Sequence, residues 1–414
     1  MRGRLGGLTT RGRCLLTAGL ATALCAVLVN ERDLLRVATF AMMLPLLASV
    51  VVGHSRIRLR VERELVPPRI AAGGECQAHL TLHGTGRCSG RLLLEDMLPE
   101  ALGGSRRAVL ARLPPHRPMQ LIYPLRPVAR RVHSLGPLVA RITDPLGLAE
   151  CRRTLAAHSR LVVIPAVVPL TGLPAVGAGH AGGGRLGGGP DQDAMLVRSY
   201  RHGDDMRKVH WRTTARQDKL MVRVDEYPPR DGVTVLLDHR AAAHRGSGPT
   251  SSLEYAVSLA ASVYVHLRQR GQQVRLVTVD GLVLAGATGH TLDTALDALA
   301  ALQATNQLDL AGGPAMAGRQ EVVAVLGAIG PMAVETLLAH HPRGMGSHAV
   351  LLDVGSWDGA GDGSPGAAAP DPAQSARSLV AAGWSVTVAR PNQLPAAVWD
   401  QLCASSRSRP QAPR

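Results

Sequence analysis

With 414 residues the chain is long enough to bury more than one core; at the usual domain size of about 100–200 residues, two soluble domains are expected beyond any membrane segment. The formal net charge is +15, but of the 46 basic residues only Lys208 and Lys219 are lysines, and 45 Gly and 28 Pro accompany the arginines. That composition reads as a GC-rich coding bias, so the charge points to anionic lipid headgroups or an acidic partner. One Phe, five Tyr and four Trp leave little surface for base stacking, and nucleic acid is not expected as a partner.

Two uncharged stretches open the chain, 14–29 and 37–53. Each approaches the roughly 20 apolar residues that span a bilayer, and Leu34 and Leu35 extend the second to 34–53. A polar connection, Asn30 to Arg36, makes them a helical hairpin covering 1–54. A cleaved signal peptide competes for the first stretch, given Arg2, Arg4, Arg11 and Arg13 before it, and the apolar run directly behind argues against that. The arginines before the first span, and Arg56, Arg58, Arg60 and Arg63 after the second, place both ends on the cytoplasmic side.

From 55 to 170 short alternating runs such as RIRLRVERELV, CQAHLTLH and PLVARITD are broken by Gly and Pro, which predicts a small β-sandwich-like domain. His83, His116 and His133 fall there and read as surface or turn residues, since nothing places them together. Cys14, Cys25, Cys76, Cys88, Cys151 and Cys403 form no C-x-x-C pair and no metal-ligand spacing. Cys76 and Cys88 would bridge two strands in an oxidising compartment; the cytoplasmic topology favours reduced thiols. Residues 171–190 form a Gly-rich linker, and its Gly182-x-Gly184-x-x-Gly187 lacks the strand and helix that give a dinucleotide fingerprint its geometry.

The stretch from Val197 to Asp238 joins a turn, a basic helix and two strands. Gly203-Asp204-Asp205 signals the turn, and either Asp caps a helix Met206 to Arg216. Between Arg198 and Arg223 eight basic side chains meet three acidic ones. This is either a docking surface for an acidic partner or a set of arginines paired with Asp204, Asp205 and Asp218. Beyond it, strands 232–238, 273–280, 321–326, 348–354 and 384–389 alternate with helices 251–271, 291–305, 331–340, 372–382 and 391–403. The first of these helices opens on the capping box Ser251-x-x-Glu254. Alternation of this kind predicts an open parallel sheet with helices on both faces, over 191–403. A tail, 404–414, has no reason to be ordered.

Ligands of such sheets sit beyond the carboxyl ends of the strands. Asp238 ends VTVLLD there and Asp280 ends VRLVTVD. A carboxylate so placed can hold a divalent cation such as Mg²⁺, as the first Asp of the D-x-S-x-S loop does in von Willebrand factor A domains. Here the loop reads Asp238-His239-Arg240-Ala241-Ala242, without either hydroxyl. In the alternative, Asp238 caps the loop or pairs with an arginine. There is no G-x-S-x-G elbow, no phosphate-binding G-x-x-x-x-G-K-[ST] loop and no H-E-x-x-H. His202 and His210 have no nucleophile beside them, so no catalytic residues are assigned.

The block RSYRHGDDMRKVHWRTTAR resembles the signature of a bacterial family, domain of unknown function 58 (DUF58), on Arg198, Tyr200, Gly203, Asp204, Arg207, Val209, Trp211, Thr214, Ala215 and Arg216. Asp144-Pro145-Leu146-Gly147-Leu148 resembles that family's upstream D-P-[FL]-G-L turn. The resemblance implies a von Willebrand factor A-like (Rossmann-type) α/β domain on an anchor in the bacterial plasma membrane. Docking of a partner by the signature is expected from the anchor, the basic block and the lack of catalytic apparatus, and the resemblance adds neighbours encoded nearby, MoxR-type AAA+ ATPases and transglutaminase-like membrane proteins. It implies no particular reaction. Reporter fusions after residue 33 and after residue 60 are expected to report opposite sides of the membrane; an external signal from both would overturn the hairpin.

Overall fold

The computed structural model describes residues 7–54, 58–85, 91–110, 118–174, 197–199, 221–223, 232–286, 289–310, 320–340, 347–357 and 370–407. It divides into two compact units, Met1–Ile164 and Pro165–Arg414.

In the first unit a two-residue strand, β1 (Gly7–Leu8), leads into helices α1 (Thr10–Val29) and α2 (Arg32–His54). Both helices are long and apolar enough to cross a membrane. Leu28 and Phe40 are 77% and 69% exposed, which sets these helices apart from the buried helices of a water-soluble core. The connection is tighter than the seven residues the sequence suggested. Asn30 takes the left-handed conformation, φ 58°, and its N–H caps α1 on the Ala26 carbonyl, so α2 can begin at Arg32 with Asp33 at its positive end. The helices touch where side chains are smallest: a Cβ on Gly19 would stand 2.8 Å from Met42 Cγ and 3.3 Å from the Ala38 carbonyl oxygen.

The strands that follow are β2 (Arg58–Val66), β3 (Arg69–Ala71), β4 (Cys76–Thr85), β5 (Arg91–Asp96), β6 (Arg106–Leu110), β7 (Met119–Leu125), β8 (Arg131–Leu135), β9 (Leu138–Thr143), β10 (Ala149–Ala156) and β11 (Ser159–Ile164). They form sheets β1-β10-β9-β5-β6, β2-β4-β7 and β3-β11-β8. Leu80 and Leu82 pack on Leu92, Leu94 and Ile142, while Cys76 and Ala78 of the same strand pack on Leu135, Leu161 and Val163. A sandwich results, as the alternation predicts. His133 corrects the surface reading of the histidines: it is buried in β8, and burial, aided by Arg131, lowers its pKa.

Strand β10 receives both helices. Gly7 and Leu8 pair with Glu150 and Ala149, and Thr9 donates its N–H to the Leu148 carbonyl at 2.9 Å and its hydroxyl to the Gly147 carbonyl at 2.6 Å. A Cβ on Gly12 would lie 2.1 Å from the Leu148 oxygen, so only glycine permits this approach. Asp144 holds the D-P-L-G-L turn in place, accepting from the N–H groups of Leu146 at 3.0 Å and Ala149 at 2.6 Å. At the other end Arg153 donates to the Gly53 carbonyl, 3.5 Å away, and Val52 joins the sandwich core.

The second unit contains β12 (Val197–Ser199), β13 (Met221–Arg223), β14 (Gly232–Leu237), α3 (Ser252–Gln269), β15 (Gln273–Thr278), β16 (Val283–Ala285), α4 (Leu292–Ala301), β17 (Glu321–Leu326), α5 (Pro331–His340), β18 (Ser347–Leu352), α6 (Pro372–Ala381), β19 (Ser385–Ala389) and α7 (Pro395–Arg407). The large sheet runs β16-β15-β14-β17-β18-β19, parallel except for the antiparallel β15–β16 pair. Helices α5 and α6 cover one face through Val334, Leu337 and Leu379; α3 and α7 pack on the same sheet and on each other.

Three expectations change here. Helix α4 stops at Ala301, and the residues after it run extended to bridge Arg240 at Thr305. The last helix continues to Arg407, because Ser406 is buried and bonds back to the Cys403 carbonyl at 2.8 Å. Residues 171–174 are not free linker: Thr171 donates to Asp400 at 2.8 Å and the Gly172 carbonyl accepts from His266 at 2.7 Å. The remaining linker and its Gly182-x-Gly184-x-x-Gly187 lie outside the described residues.

In the first unit Arg63 and Asp96 form a buried ion pair that the Tyr123 hydroxyl joins. Replacing Asp96 by Ala is expected to lower the unfolding free energy by about 3–5 kcal/mol, since it strands a guanidinium inside the protein. Breaking the exposed Asp33–Arg36 pair by Asp33→Ala, which also removes the carboxylate at the start of α2, should cost no more than about 1 kcal/mol. Denaturant titration of the two variants in detergent compares them, and equal effects would refute this reading.

Candidate functional site

Strand β14 is buried along its whole length, and its carboxyl end delivers Asp238, fully buried, to the top of the sheet. The order of the parallel strands reverses between β14 and β17. Crevices at such reversals are where open α/β sheets bind ligands. Asp238 stands in that crevice, its N–H bonded to the Val325 carbonyl of β17 at 2.9 Å.

Arg240, two residues on, folds back over the carboxylate. Its Nε donates to Oδ1 at 3.0 Å and one terminal nitrogen to Oδ2 at 2.8 Å, a bidentate pair of the strongest kind. Backbone N–H groups complete the shell, Arg240 on Oδ1 at 3.1 Å and Gly327 on Oδ2 at 3.3 Å. The guanidinium also donates to the carbonyls of Leu308 at 2.9 Å and Ala328 at 3.3 Å. Gly327 is required beside this pair, since a Cβ there would lie 2.2 Å from the Ala243 carbonyl oxygen.

Behind the pair, His244 places one ring nitrogen, Nε2, 2.9 Å from the Asp238 carbonyl oxygen and the other, Nδ1, 3.1 Å from Ser252 Oγ. A carbonyl only accepts, so Nε2 carries a proton, while Nδ1 of the neutral ring shares the Ser252 hydroxyl with the Arg245 carbonyl, 3.2 Å from that oxygen. Burial lowers the His244 pKa, outweighing the opposing pull of Asp238. His239 Nε2 lies 3.7 Å from Asp280 Oδ2, and Asp280 accepts from the Thr278 hydroxyl.

Asp238 is thus paired with an arginine, the alternative that the sequence left open. The donor set does not fit a divalent cation: position 240 brings positive charge where oxygen is needed, Ala242 brings no donor, and both carboxylate oxygens are engaged. Among the described residues no group of three or more His, Cys, Asp or Glu side chains could hold a metal. Of the signature residues, Arg198 lies in β12, opposite Val222 of β13. Tyr200, Gly203, Asp204, Arg207, Val209, Trp211, Thr214, Ala215 and Arg216, together with the helix expected at 206–216 and with His202 and His210, lie outside the described residues.

The sequence pointed to Asp238 by its place at a strand end. It gave no signal for Leu308, which serves through its carbonyl, or for His244 and Ser252, which meet only when the loop folds. Gly327 directly after an apolar strand was the one readable hint of close approach.

Because His244 is held neutral in the fold, its contribution to stability is complete above the ordinary histidine pKa of 6.5 and is lost as pH falls below that value. Thermal melts between pH 7.5 and 5 should show this loss, which buried His133 shares, and His244→Asn should reduce it. An unchanged slope in the variant would assign the acid sensitivity elsewhere.

Residues 196–324 match the family model described as "Protein of unknown function DUF58". No curated protein matches the chain. Solved structures that match include a Northeast Structural Genomics Consortium target, SoR45, at 12% identity and TM-score 0.17, over 26% of this chain and 88% of that one. Another is Spo0M, a sporulation control protein from Bacillus subtilis, at 14% identity and TM-score 0.14, over 25% of this chain and 49% of that one. Similarity at that level carries no argument about fold or role. From β12 into β17, then, this chain carries a DUF58 domain.

Proposed function

We propose that the chain is a membrane-anchored, non-enzymatic adaptor of the DUF58 type, whose α/β domain, read as von Willebrand factor A-like, binds a protein partner on the cytoplasmic side of a bacterial plasma membrane. The observation that carries the reading is the fastening of both apolar helices to one strand. Strand β10 pairs with β1 at the start of α1 and bonds Gly53 at the end of α2. The anchor is therefore built into a folded domain, as an assembly platform requires. The run of parallel strands β15-β14-β17-β18-β19 with an antiparallel strand at its edge supports the von Willebrand factor A-like reading.

The proposed partner is a MoxR-type AAA+ ATPase, with a transglutaminase-like membrane protein as a further component, both implied by the family resemblance. The surface proposed for docking is the signature around Arg207, Trp211 and Arg216. Leu282 and Met332, on the segments that follow β15 and β17, and Leu308, on the segment after α4, are 52%, 74% and 73% exposed and support a protein-binding role for the α/β domain. Pull-down of the cognate ATPase from detergent-solubilised membranes is expected to fall at least tenfold with Arg207→Ala combined with Trp211→Ala. Undiminished recovery by a variant that melts like the wild type would defeat the docking claim.

A further inference from the structure

We infer that Asp238 and its surroundings form a cation site whose resident cation is the Arg240 side chain, so that the top of the sheet is assembled without a metal ion. Four oxygens converge on the guanidinium: both carboxylate oxygens of Asp238 and the carbonyls of Leu308 and Ala328. Such a set of hard oxygens around a buried positive charge is what a Mg²⁺, Mn²⁺ or Ca²⁺ ion takes. Here every oxygen is oriented toward nitrogen donors, and the charge is tethered to the chain two residues from the carboxylate it neutralises. Arginine suits the task better than lysine, because its planar fork reaches the carboxylate bidentately and still has hydrogens for two carbonyls.

The oxygens come from separate stretches. Asp238 follows β14, Ala328 follows β17, and Leu308 belongs to the extended segment after α4, which is held to the loop by Thr305: its N–H bonds the His239 carbonyl at 2.9 Å and its carbonyl the Ala241 N–H at 2.8 Å. A dissociable ion would join these segments only while bound. A side chain joins them at every ionic condition, which makes this end of the sheet a constant surface. Arginine at 240 thus converts a site of ligand-dependent order into a permanent structural pair.

The test uses the full chain in detergent, after chelator treatment, with Mn²⁺ as the probe. The wild type should show no saturable Mn²⁺ uptake by paramagnetic resonance and no change in Tm on adding Mn²⁺ or chelator. Arg240→Lys keeps a charge but loses the bridge to the carbonyls, and should melt about 5–15 °C lower. Arg240→Ser combined with Ala242→Ser removes the charge and adds hydroxyl oxygens; this chain should regain stability with millimolar Mn²⁺, a rescue abolished by a further Asp238→Asn. One equivalent of Mn²⁺ bound by the wild type and lost in Asp238→Asn would overturn the inference, as would an Arg240→Lys chain as stable as the wild type. If the double serine variant fails to fold without Mn²⁺, recovery of the fold on adding it counts for the inference. Failure to recover means that the oxygens do not form a cation site and counts against it.

Discussion

A carboxylate that leaves water loses several kcal/mol of hydration, and only a positive charge with well-placed hydrogen bonds makes up the loss. Asp238 is held at the end of the central strand by a main-chain bond to Val325 of β17 and is fully buried, so it has no route back to solvent. Arg240 answers that constraint, and the surrounding loops follow from it. The guanidinium needs two more acceptors and finds them at Leu308 and Ala328, which draws the segment after α4 and the turn after β17 to the same point. Gly327 must be a glycine for the turn to pass beneath Ala243. The sandwich of the first unit meets the same constraint with Arg63, Asp96 and Tyr123, on three different strands.

A second constraint acts where the apolar helices meet folded protein. In a lipid surrounding, apolar helices have no hydrophobic drive to pack on one another, so close contact there has to come from small residues and hydrogen bonds. Gly19 provides the first between α1 and α2. At the join to the sandwich, Gly12 and the Thr9 cap let the helix start lie against the Asp144–Leu148 turn. The family-like D-P-L-G-L sequence thereby acquires a mechanical reading. Asp144 fixes the turn and Gly147, with φ of 72°, bends it. Its carbonyls are then presented to Thr9 at the start of α1.

Much of the architecture was legible because its causes are local. The capping box at Ser251 and Glu254 starts α3 where expected, and the glycine at 271, with φ of 78°, follows its end. Apolar runs bounded by turns located β14, β17 and β18, and charge-free stretches located α1 and α2. What was misread depended on distant partners. His133 looked like a turn residue until the strands closed over it. Thr171 and Gly172 looked like linker, although Asp400 and His266 hold them. The short edge strand β16 was not foreseen, since three residues carry no period of their own.

The amino-acid sequence by itself determined the order of apolar helices, β-domain and α/β domain, the alternation that makes the large sheet parallel, and the placing of Asp238 at a strand's carboxyl end. Those properties arise from periods, caps and composition acting within a few residues. Only the tertiary structure decided what Asp238 does. Whether a carboxylate at a strand end awaits an ion or is already neutralised depends on where residue 240 turns, and that depends on carbonyls at 308 and 328, far along the chain. The reversal of strand order between β14 and β17 brings them together, and no local pattern around Asp238 encodes it.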